Sequence, residues 1–151
     1  MIELSFSAAD TGGADRGPHG TMDFATADLY DLTYEAFRGP CTFRIEGADF
    51  SGPGPVLDLA LGLFTAAGEL AEARRARYSA VGGAGEYHFE RRGDTVRIRR
   101  ERDGRGTVDY AEFAQAARAF LGEVVRGLGE RFPELRRNPE IRRLREAAAG
   151  V

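Results

Sequence analysis

The chain has no lysine: all 21 of its basic residues are arginine. With 20 glycines and abundant alanine, this composition points to codon bias in a high-GC bacterial genome. An arginine cluster here therefore carries less weight as a sign of bidentate phosphate recognition than it would beside lysines. Cysteine is nearly missing as well. Cys41 alone excludes an internal disulfide and any zinc site built from several cysteines. It follows Pro40 with no basic neighbour before Arg44, which fits a small buried residue better than a nucleophile. The two histidines, His19 in a Gly-Pro loop and His88 between Tyr87 and Phe89, lack ligand-spaced partners. Serine is sparse and no Gly-x-Ser-x-Gly elbow occurs. "GGAGE" (82–86) leads into a strand and lacks the Lys-Ser/Thr pair that grips phosphate. "MIELSFSAAD" has neither a basic start nor an apolar signal core. The most apolar run, "VLDLALGLFTAA" (56–67), is too short to span a bilayer and contains Asp58. No enzymatic motif and no cofactor site are legible, and the expected location is the cytoplasm, away from membranes.

At 151 residues the chain reads as a single α+β domain, 1–151, long enough to bury roughly 70% of its extended-chain surface. Net charge is only −3, but it is lopsided. Residues 1–73 hold 12 acids against 3 arginines, and residues 74–151 hold 12 acids against 18 arginines. That asymmetry predicts an acidic face and a basic face.

Ile2, Leu4 and Phe6 alternate as in a strand. Residues 9–20 form a turn-rich polar loop. Residues 21–37 mix a strand signal at Met22 and Phe24 with a helical face at Leu29, Leu32, Ala36 and Phe37; Gly39-Pro40 ends the segment. "CTFRIEGADF" (41–50) alternates at Phe43 and Ile45 and turns near Gly47. Pro55 opens a helix where a missing N–H costs nothing. Leu57 and Leu61 add a second apolar stripe to it, so this helix is either buried on two sides or offers a face to a partner. Residues 86–91, 95–102 and 106–109 read as a three-stranded meander. A helix over 110–132 follows, Pro133 stops it, and Asn138-Pro139 caps a last helix. Strands, a helix, a meander and two C-terminal helices predict an α+β fold. Its antiparallel sheet of about five to six strands has helices packed on one face.

"ERDGRGTVDYAEF" (101–113) spells much of a calcium loop. Glu101, Asp103, Arg105, the Thr107 carbonyl, Asp109 and Glu112 occupy the ligand places, and Gly106 the bend. Arg105 puts a fixed positive charge where an oxygen belongs, Glu101 is long for its place, and the segment before the loop alternates as a strand. A turn at Asp103-Gly104 before a helix capped by Asp109 is the better reading. A calcium site on Asp103, Asp109 and Glu112 stands as an alternative.

Two surfaces are candidates for binding. Asp28, Asp31 and Glu35 lie among Tyr30 and Tyr34. Three carboxylates at that spacing mark a solvated surface rather than a glycosidase pair, but tyrosines among carboxylates suit a basic protein partner. With Leu57 and Leu61 they form the expected partner site. The arginine-rich hairpin 91–105, with Arg97, Arg99, Arg102 and Arg105, is the alternative, tracking a nucleic-acid backbone. "FRIEGADF" followed by "PVLDLALGLF", a basic hairpin and "EFAQAARAFL" resembles small uncharacterised proteins of high-GC actinobacteria. It is also similar to the α+β immunity proteins that guard bacteria from polymorphic toxins. The resemblance implies a non-enzymatic, immunity-type inhibitor that binds another protein, and it carries no catalytic residue onto this chain.

Overall fold

In the computed structural model, residues 1–12, 22–81, 85–101 and 104–150 are described. Strand β1 (Ile2–Phe6) runs antiparallel to β2 (Arg38–Ile45), with Leu4 opposite Phe43 and Phe6 opposite Cys41. On its other edge β2 meets a return strand broken into β3 (Ala48–Asp49) and β4 (Gly52–Pro55). The register runs on unchanged through the break, where one ladder bond is diverted to a side chain. The Phe43 carbonyl accepts from Phe50 N–H at 2.7 Å, but the Phe43 N–H donates to Ser51 Oγ at 2.9 Å. The hairpin turns at Gly47, whose φ of 93° suits glycine.

The second sheet is a four-stranded antiparallel meander of β5 (Arg75–Ser79), β6 (Glu86–Arg92), β7 (Thr95–Arg100) and β8 (Arg105–Asp109). The α+β class and the antiparallel pairing match the sequence, but the described strands number eight, divided between two sheets. The sheets meet where Thr107 N–H donates to the Glu46 carbonyl at 3.0 Å, which places the β2–β3 turn on the outer edge of β8. Gly106 permits this approach, because a Cβ there would collide with the Glu46 carbonyl.

Helix α2 (Val56–Glu69) begins just after Pro55. It is buried along Val56, Leu57, Ala60, Leu63 and Ala66, with Leu59, Leu61 and Phe64 half-buried against the core. Its all-round apolarity therefore serves internal packing, against β5, the segment before β2 and the long helix that follows β8. Helix α3 (Tyr110–Arg131) joins the two halves of the core. Phe113 stacks on Phe89 of β6 at 5.7 Å, and Phe120, two turns on, meets Phe6 of β1 edge-on at 6.3 Å. Pro133 ends this helix in a 3₁₀ turn (Pro133–Arg137), and Asn138 caps α4 (Pro139–Ala149).

Residues 22–37 depart from the sequence reading. Met22–Phe24 is not a strand: the Asp23 carboxylate accepts the Ala25 N–H at 2.9 Å, folding the chain into a turn. Asn138 Nδ2 then donates to the carbonyls of Phe24 and Ala27, both at 2.8 Å, so neither is left for a neighbouring strand. A one-turn helix, α1 (Leu29–Asp31), follows and widens into a π-helical turn (Leu32–Ala36). Nor does Gly39-Pro40 end this segment; β2 runs through it. Gly39 lies against Thr11, where a Cβ would stand 2.9 Å from Thr11 Cα. Among the described residues no helix is long and apolar enough to cross a membrane.

Candidate functional site

The acidic and aromatic residues of the N-terminal half meet on α1 and its π-helical turn. Asp28 is the N-cap, with its Oδ1 accepting the Asp31 N–H at 2.9 Å. Tyr30 and Tyr34, one helical turn apart, stack with ring centroids 5.3 Å apart and planes 16° from parallel. They are 66% and 40% exposed, and with Met1 they are the large apolar side chains left exposed among the described residues. Asp28 and Asp31 are exposed beside them, and the Glu35 backbone lies in the same turn. Leu57 does not belong to this face. It is 1% exposed, inside the core, because the stripe it forms on α2 faces protein on that side too. Leu61 is half-buried on the same cluster.

The basic residues gather on the solvent side of the second sheet. Its alternation turns Ala76, Tyr78, Tyr87, Phe89, Val96, Ile98 and Val108 inward. The opposite face receives Arg75 and Arg77 of β5, His88 of β6, Arg97 and Arg99 of β7 and Arg105 of β8. Arg77 and Glu86 pair at 3.3 Å, His88 Nε2 lies 3.2 Å from Glu86, and Arg75 lies 3.5 Å from Glu90. Arg102 lies outside the described residues. The sequence pointed to the β7 arginines but missed Arg75 and Arg77, since β5 offers only Ala76 and Tyr78 as an alternating signal.

The calcium alternative loses its frame. The segment entering the loop is strand β7, Asp109 Oδ2 accepts the Glu112 N–H at 3.2 Å as the cap of α3, and Glu112 pairs with the Met1 amine at 3.1 Å. Asp103, like His19, lies outside the described residues, and the described ones hold no cluster of three metal-ligating side chains.

A polar cluster at the junction of α2 and the sheets was not legible in sequence. Tyr78 OH donates to Asp58 Oδ2 at 2.5 Å, and Val81 N–H donates to the same oxygen at 3.1 Å. Burial raises the Asp58 carboxyl above the usual range, against those two hydrogen bonds, and burial beside Asp58 pushes the Tyr78 phenol up. Arg100 donates to Tyr87 OH at 3.0 Å and to the Phe50 carbonyl at 3.2 Å. The Cys41 thiol, pushed up to about 11 by burial, borders a cavity of about 50 Å³ beside this cluster. So small a space and so protonated a thiol fit a satisfied core rather than a nucleophilic site. Among protein-family models, curated proteins and solved structures, none matches this chain.

Proposed function

We propose that this chain is a non-enzymatic protein-binding domain, an inhibitor of the immunity type, which takes a basic partner on the face of Tyr30, Tyr34, Asp28 and Asp31. The observation that carries this reading is the stacked, exposed tyrosine pair. Buried interface anchors are commonly tyrosines, and two rings already stacked lose little freedom on binding. The π-helical turn that carries Tyr34 supports it too, since such turns recur at functional sites. Exposed carboxylates beside the rings select and speed the approach of a basic protein. Affinity capture from the native cell, with the parent and with Tyr30→Ala/Tyr34→Ala as baits, tests the reading. The parent is expected to retain a basic protein that the variant releases, each lost ring costing about 2 kcal/mol, or about thirtyfold in affinity. Equal retention by both baits, or no protein on either, contradicts it.

A further inference from the structure

The outer face of the second sheet holds an arrangement of cations that folding does not require. The register places Arg77, His88, Arg99 and Arg105 in one row across all four strands, and Arg75, Glu90 and Arg97 in the next. Like charges directly opposite on neighbouring strands destabilise a sheet, and Arg99 faces Arg105 in this way. Glu86 and Glu90 offset one flank, through Arg77 and Arg75, and Glu86 also lies 3.2 Å from His88 Nε2. On the other flank Arg97, Arg99 and Arg105 are exposed and form no ion pair among the described residues. They border an open groove of about 680 Å³ that runs over the sheet.

We propose that this groove binds the phosphate backbone of a double-stranded nucleic acid, at a site separate from the tyrosine face and independent of it. Guanidinium groups take phosphate oxygens bidentately, and the discount for an arginine-only composition does not touch position. Composition explains why the cations are arginines; it does not explain why those of β5, β7 and β8 align, with Arg97, Arg99 and Arg105 in no ion pair among the described residues. The duplex is favoured over unpaired strands by what the face lacks. Tyr78, Tyr87 and Phe89 point into the core, so among the described residues the face offers bases no ring but the imidazole of His88, which is held by Glu86. Binding then rests on charge density, which is highest in a duplex, and no base edge is read. A field of cations spread over β5, β7 and β8 also suits a rigid, densely charged duplex better than an acidic peptide, which must be ordered on binding.

Fluorescence anisotropy of the full chain with short mixed-sequence duplex DNA and duplex RNA, over a range of salt, tests this. The parent is expected to bind, with affinity falling linearly on a log–log plot against salt. Arg97→Ala/Arg99→Ala should lower that slope by about two units and Arg105→Gln by about one. Both variants should melt close to the parent, because the side chains are exposed and form no ion pair among the described residues. A preference between the two duplexes identifies which nucleic acid supplies the backbone. Failure to bind either duplex at low salt, or slopes unchanged in the variants, overturns the proposal. So does tighter binding of the matching single strands. Displacement of duplex by polyglutamate at equal charge would assign the groove to an acidic protein instead, and overturns it as well.

Discussion

Asp58 enters the sequence as a charge interrupting an apolar helix, and the fold makes it the acceptor for Tyr78 and Val81. Burial is the largest influence on it and raises its pKa, so the folded state holds the proton more tightly than the unfolded chain does. The stability linked to that proton is fully present below the ordinary carboxylate pKa and is lost as pH rises through the folded value. Asp58→Asn keeps an oxygen for both donors and removes the titration. The parent's stability relative to this variant should therefore decline as pH rises from the acid side toward neutrality, measured as urea midpoints at a series of pH values. A parent that gains on the variant over that range contradicts the assignment. Asn138 shows the same lesson about partners. The sequence identifies it as a cap, and its Oδ1 does accept the Glu140 N–H at 2.8 Å. Its reach back to the Phe24 and Ala27 carbonyls depends on a contact across more than a hundred residues, which no local pattern encodes.

At the scale of elements, legibility followed periodicity. α3, α4 and the last three strands of the meander, β6, β7 and β8, were readable because apolar spacing, Asp109, Pro133 and Asn138-Pro139 all agree. β5 was missed with its two inward residues, and β2 was cut short because Gly39-Pro40 normally punctuates; the close pass of Thr11 makes that glycine part of a strand instead. The acidic tyrosine segment was found, but Leu57 was wrongly grouped with it, since a helix buried on two sides and one with a docking stripe have the same sequence. This difference is measurable. Leu57→Ala should cost about 2–5 kcal/mol in chemical denaturation, as a fully buried leucine does, whereas Tyr30→Ala should stay within about 0.5 kcal/mol of the parent. Near-equal losses would mean that α2 is not packed as described. The cross-strand row of arginines needed the register of four strands, one of them unassigned, and so lay beyond the sequence.

Across the whole molecule, the charge asymmetry of the two halves is expressed on different elements. Carboxylates collect around α1, with Asp28 and Asp31 exposed beside two stacked rings. Arginines collect on the open side of the meander, where Arg97, Arg99 and Arg105 face solvent. α3 lies between the two halves of the core, so the surfaces are held on one framework rather than cancelling by folding together. A protein partner steered by the acids and anchored by the rings is the central claim. Photo-crosslinking in the native cell tests it most directly, with a photoreactive phenylalanine analogue placed at position 30 and, as a control, at exposed Thr65 of α2. A discrete adduct with a basic protein is expected from position 30 and none from position 65. No adduct at position 30, or the same adduct from both positions, would contradict it.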